Sequence, residues 1–113
     1  MLDLKLYLLQ RLSAVVMAPL VLGHLAVIII AVQNGLTSEE ILSRTQGSFG
    51  WALFYGTFVA AVSVHAAIGL RVIVFETLKL KGFALNSLTW AVFLGLFLMG
   101  ARAVWAVTAV GAT

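Results

Sequence analysis

The chain has 113 residues, of which 63% are hydrophobic and only 10% charged, and its formal net charge is +3. A soluble domain carries about 25% charged residues, so at a mean hydropathy of +1.13 this chain has too little polar surface to coat itself in water and reads as an integral membrane protein. Its lack of cysteine excludes a disulfide, a thiolate metal site and a thiol nucleophile, and its small positive charge reflects loop placement and gives no reason to expect a nucleic-acid partner.

The N-terminal M-L-D-L-K-L-Y-L-L-Q-R has neither the basic n-region and small-residue cleavage site of a secretory signal nor the Arg/Ser-rich, acid-poor character of an organelle presequence. A bacterial chain, or one already processed, is expected. Three apolar segments reach the ~20 residues that a helix needs to cross the hydrocarbon of a bilayer. The expected fold is therefore all-α, with three transmembrane helices in an up-down-up bundle forming a single membrane-anchor domain over residues 1–113. The first span covers about residues 12–32, with no charge and one proline, Pro19; proline removes a backbone hydrogen bond and can kink a membrane helix. The link at 33–48 is polar and turn-rich. Within it Asn34-Gly35 marks a turn, and T-S-E-E-I-L reads as a short interfacial helical turn capped by Thr37 or Ser38, with Glu40 near N3. The second span covers about residues 49–74, a short basic connection follows at 76–87, and the third span covers about residues 88–110. Gly23, Gly50, Gly56, Gly95 and Gly100 fall within or beside these spans and read as helix-packing notches.

Lys5 and Arg11 precede the first span, and Arg71, Lys79 and Lys81 cluster around the second link, whereas Arg44 in the first link is offset by Glu39 and Glu40. Lysine and arginine in short loops favour the cytoplasmic side. The expected topology puts the N-terminus and the second link inside, in a bacterial cytoplasmic membrane, with the first link and the C-terminus outside.

Few polar groups lie at membrane depth, where each is costly unless buried in protein or solvated. The stretch V-S-V-H-A-A-I-G-L-R-V-I-V-F-E holds most of them. At ~3.6 residues per turn His65 and Gly69 share one helix face, Glu76 lies about three turns along nearly the same line, and Arg71 is rotated away. Gly69 leaves room one turn from the imidazole for something flat or for another helix. His65 is about 9 Å below Arg71 at ~1.5 Å per residue. It is either an axial ligand of a b-type haem or a packing histidine bonded to a neighbouring helix's serine or carbonyl. His24, in V-L-G-H-L, lies about 20 Å past Arg11 by the same rise. That places it on the outer half, as a packing histidine, a candidate ligand of a second haem completed by another chain, or a strained partner of His65 on one iron that a tilt or a kink at Pro19 would have to bring closer. Arg11 and Ser13 stand at the inner entry of the first span, Arg11 being able to snorkel to lipid phosphates. Arg102 lies far into the third span on the outer side, able to snorkel outward or to meet a partner. The chain has no H-E-x-x-H, no glycine-rich phosphate loop and no serine–histidine–acid set within one site, and its only aspartate, Asp3, is next to the terminus. Catalysis by this chain alone is not expected.

H-A-A-I-G-L-R-V-I-V-F-E resembles the second-span signature of the cytochrome b membrane-anchor subunit of succinate dehydrogenase and fumarate reductase (succinate:quinone oxidoreductase). His65, Gly69, Arg71 and Glu76 match in register, with glutamate for the usual aspartate and Val72 in place of a second histidine. Upstream, Q-R-L-S-A is similar to the family's histidine-arginine-x-serine-glycine box at the first span: Arg11 and Ser13 match, while Gln10 and Ala14 replace the histidine and the glycine. G-S-F at residues 47–49 fits the start of the second span. The likeness covers about residues 7–80.

The resemblance implies a chain that anchors a flavoprotein subunit and an iron–sulfur subunit to the cytoplasmic face beside a second small membrane-anchor subunit. It implies haem b with His65 as the iron's axial ligand and Gln10 and Arg71 as haem-contacting candidates. It also implies a membrane quinone, ubiquinone or menaquinone, taken by Arg11, Ser13 and Tyr7. Tyr7 stands where the family has a quinone-contacting serine, and its phenol can still donate a hydrogen bond. Two rival readings remain: a haem-free structural anchor whose histidines only pack, and a small transport component with His24, His65 and Arg102 along its path.

Overall fold

The computed structural model describes residues 4–109, which are helical apart from short links. Four helices follow in order: α1 Leu4–Gln33, α2 Ser38–Thr45, α3 Phe49–Leu78 and α4 Phe83–Thr108. Helices α1, α3 and α4 are long and apolar enough to cross a membrane. They pack as an up-down-up bundle: Ser13 of α1 meets His65 of α3 while His24, further along α1, meets Tyr55, earlier on α3, so the two helices run in opposite senses. The molecule is 47 Å long, as expected for 30-residue helices at ~1.5 Å per residue. That exceeds a ~30 Å hydrocarbon layer, so the helix ends reach the headgroup zones.

The link between α1 and α3 uses local chemistry at every joint. Helix α1 closes in a Schellman motif, with Leu36 N–H donating to the Ala31 carbonyl at 2.9 Å and Gly35 N–H to Val32 at 3.3 Å. Gly35 holds the left-handed φ of 103° that this motif requires. Thr37 is the N-cap of α2, its hydroxyl accepting from Glu40 N–H, and Ser48 caps α3 by accepting from Trp51 N–H. The short helix α2 in turn finishes α4. The buried Thr45 hydroxyl donates to the Val107 carbonyl at 2.6 Å, and Gly47 N–H donates to Thr108 at 2.6 Å. These bonds occupy last-turn carbonyls that a helix cannot satisfy within itself.

The helices are longer than the hydropathy limits. Helix α1 starts at Leu4, not near residue 12, so Lys5 and Arg11 lie inside it; a charge ends an apolar window but does not end backbone hydrogen bonding, and both cations can snorkel from a helix end. Helix α3 continues to Leu78 and α4 begins at Phe83, which shortens the expected 76–87 connection to residues 79–82. Lys79 and Gly82 turn the chain there with φ of 58° and 69°. Helix α1 is continuous through Pro19. Val110, the expected end of the third span, lies outside the described residues, as does Asp3.

Helix α3 is central, packing on α1 and on α4. Its most apolar stretch is 22% buried within the chain, against 6% for α1 and for α4, so the outer faces of the flanking helices are left for lipid or other subunits. Helices α3 and α4 approach closely at Gly100 of α4. A Cβ there would fall 2.5 Å from Val59 Cγ1 on α3, and a β-branched side chain has little freedom to move aside. Gly100→Ala is therefore expected to destabilise the bundle by about 1–3 kcal/mol, and Val59→Ala added to it to recover most of the loss. Thermal unfolding of the detergent-solubilised variants followed by circular dichroism measures both effects.

Candidate functional site

Polar side chains meet at the α1–α3 contact in the half of the bundle where α1 begins. Ser13 on α1 is 6% exposed, and its hydroxyl lies 3.2 Å from His65 Nδ1 on α3. The same hydroxyl donates to the Gln10 carbonyl at 2.8 Å. Gly69, one turn beyond His65, sits under Gln10: a Cβ at this position would be 3.6 Å from Gln10 Nε2. The room that glycine provides is thus taken by the side chain of α1. Gln10 Oε1 is buried with no hydrogen-bond partner among the described residues. His65 Nε2 also bonds to no described residue, yet it is not one of the sealed, unpaired atoms. The imidazole is half-buried, fixed at Nδ1 and open at Nε2.

Arg11 and Tyr7 face elsewhere. Two residues separate Arg11 from Ser13, which turns it ~200° around the helix, and both Arg11 and Tyr7 are exposed. The Arg11 guanidinium stands 5.8 Å over the centre of the Tyr7 ring, a cation–π pair one turn apart. The structure therefore groups Tyr7 with Arg11 on the outer face of α1 and Ser13 with His65 on the inner face.

Arg71 leaves α3 on the side of α4. Its Nη1 donates to Asn86 Oδ1 at 2.9 Å and to Thr89 Oγ1 at 3.1 Å, while its other guanidinium nitrogens have no partner among the described residues. These groups, with Lys5, Leu9 and Trp90, line a groove of about 510 Å³. Glu76, Lys79 and Lys81 are exposed at the same end of the bundle, and Arg102 is exposed on α4 toward the other end.

The family model for succinate dehydrogenase/fumarate reductase transmembrane subunits matches residues 1–110. The chain belongs to that family. It is therefore a membrane subunit of a complex that contains other subunits and sits in lipid. Comparison with curated proteins and with solved structures gave no match.

In this transmembrane subunit His65 is a side chain that could hold a haem iron. No group of three or more histidine, aspartate or glutamate side chains able to hold a metal ion is present among the described residues, whereas a haem iron takes one axial side chain from each face. His65 has a free, accessible ring nitrogen for that purpose, and Arg71 has unengaged guanidinium nitrogens at the same end for carboxylates.

His24 occupies a separate chamber of about 390 Å³ lined also by Arg44, Thr45, Tyr55 and Phe58. Its ring packs edge-on to Tyr55 at 5.9 Å and tilted against Phe58 at 5.1 Å, and its Nδ1 is buried with no partner among the described residues. Arg44 pairs with Glu40 on α2. Ser13, the partner of His65, lies eleven residues before His24 on α1, about 16 Å away along the axis. Two nitrogens on one iron lie only about 4 Å apart, at ~2 Å per bond, so these two histidines do not share an iron.

Asn86 and Thr89 are not evident from spacing. Only the register of α4 against α3 brings them to Arg71. Removing that arginine strips a charged donor from two acceptors, and Arg71→Ala is expected to destabilise the α3–α4 contact by about 1.5–3 kcal/mol. Lysine has one compact ammonium in place of a fork of donors, so Arg71→Lys should recover only part of the loss. The thermal midpoint of the purified complex reads both.

Proposed function

We propose that this chain is the haem b-binding anchor of a succinate dehydrogenase or fumarate reductase complex and helps pass electrons from an iron–sulfur subunit to a membrane quinone. The observation that carries the reading is the state of His65, held at Nδ1 by Ser13 and left with an unbonded, accessible Nε2. In hydrocarbon a ring nitrogen without a partner is costly, and a haem iron would be its partner. Haem b, when bound, supplies a one-electron carrier whose potential depends on its axial ligands and burial. Ser13 holds the imidazole at Nδ1. Gln10 and Arg71, within a turn or two of the imidazole's level, would hold the haem's carboxylates, and the second small anchor subunit would supply the other iron ligand.

The quinone, ubiquinone or menaquinone, is assigned to the outer face of α1, where Arg11 and Tyr7 form one exposed unit. Ser13 lies at the same level but is engaged with His65. A guanidinium beside a quinone carbonyl stabilises negative charge arriving on that oxygen, and the phenol can donate to the other side of the ring. Lys5, Arg11, Arg71, Lys79 and Lys81 all belong to one end of the bundle, which the positive-inside tendency assigns to the cytoplasmic side of a bacterial inner membrane. The flavoprotein and iron–sulfur subunits would dock there, and lipid and the second anchor would cover the apolar outer faces. The haem-free anchor accounts for the Ser13–His65 bond but gives the open Nε2 no partner.

Arg11→Ala is expected to reduce quinone reduction by the complex at least tenfold, while electron transfer from succinate to a soluble dye persists. Parallel assays with a quinone analogue and with the dye make the comparison. Equal loss of both activities would remove Arg11 from the quinone site. Expressed without candidate partner subunits, the chain should not be recovered as a stable, monodisperse species in detergent, and a chain that is stable alone would contradict the anchor role.

A further inference from the structure

The Ser13 hydroxyl carries one hydrogen and two close neighbours. One neighbour, the Gln10 carbonyl at 2.8 Å, can only accept. The other, His65 Nδ1 at 3.2 Å, can donate or accept according to tautomer. The shorter contact takes the hydroxyl proton, so Ser13 Oγ has only lone pairs to offer His65, and Nδ1 must bear the ring proton. The direction of the relay is His65 Nδ1–H to Ser13 Oγ, and Ser13 Oγ–H to the Gln10 carbonyl. In a neutral imidazole with the proton on Nδ1, Nε2 holds the lone pair.

We infer that Ser13 is a positioning residue for the histidine: by way of Gln10 it fixes the His65 tautomer and ring orientation, and it raises the donor strength of Nε2 toward an axial iron. This rests on the reading of His65 as a haem ligand and extends it to a residue on another helix. Three structural features make the relay rigid. Ser13 is buried, the Gln10 carbonyl is part of the α1 backbone, and the Gln10 side chain packs over Gly69 of α3, one turn from the imidazole. A histidine whose distal N–H is held by an acceptor is a stronger metal ligand than one whose N–H is unpaired. Stronger donation favours the oxidised iron, so the Ser13 contact lowers the haem potential. Ser13 thus acts on the haem through His65, without touching it.

The experiment uses the assembled complex with its haem. Ser13→Ala should shift the haem midpoint potential to a more positive value and displace the low-spin g-values in electron paramagnetic resonance, because the ring loses both its acceptor and its fixed plane. Ser13→Thr, which keeps the hydroxyl, should restore both toward wild type. A haem with unchanged potential and g-values in Ser13→Ala would overturn the role of Ser13 while leaving His65 as ligand. Wild-type complex without a b-type spectrum would overturn the haem reading itself. If Ser13→Ala does not assemble, the wild type decides the question through nitrogen-15 magnetic resonance of labelled histidine in the reduced complex: a protonated Nδ1 on His65 supports the relay, and a bare Nδ1 overturns it.

Discussion

Inside a bilayer a polar group must find its partner within the protein, and the contact of α1 with α3 is arranged around that constraint. Ser13 brings a hydroxyl to the interface, Gln10 supplies the carbonyl that takes its proton, and His65 presents a nitrogen to the oxygen. Each group satisfies part of another, and the arrangement requires the two helix surfaces to come close, as they do where Gln10 packs over Gly69. With Nδ1 engaged, the other ring nitrogen has no hydrogen-bond partner among the described residues.

The bundle is thin, and this decides how it can exist. Two of its three long helices bury little of their apolar surface within the chain. A membrane subunit of the succinate dehydrogenase/fumarate reductase family does not need to be self-sufficient, because lipid and neighbouring subunits cover what it leaves open. What the chain does secure is its ends. Helix α2 closes α4 through Thr45 and Gly47, α1 closes on itself through Gly35, and Arg71 ties α3 to α4 beside the short second link. Within the bundle so closed, His65 meets Ser13, and His24 meets Tyr55 and Phe58.

Much of this was legible in the residues. Composition and the lengths of the apolar runs predicted three spans, Thr37 with Glu40 predicted the start of α2, and the four-residue spacing of His65 and Gly69 put both toward the same neighbour. The helix ends were less legible, because hydropathy registers the charges of Lys5 and Arg11 while the backbone continues past them, and because residues 83–87 are helical although they follow a basic link. The separation of Ser13 from Arg11 was available in principle, since two residues turn a helix ~200°; grouping them by motif instead of by face concealed it. Partnerships across helices were not available. Nothing in the spacing of Arg71, Asn86 and Thr89, or of His24, Tyr55 and Phe58, states how far one helix slides along another, and that slide is set by packing such as Gly100 against Val59.

Whether the open nitrogen of His65 ligates a haem is read from reduced-minus-oxidised absorption spectra of the purified complex containing the wild-type chain or His65→Ala. A b-type band in the wild type that is lost or strongly shifted in the variant is the expected result. An assembled wild-type complex with no such band, or a variant whose band is unchanged, would exclude His65 as the ligand.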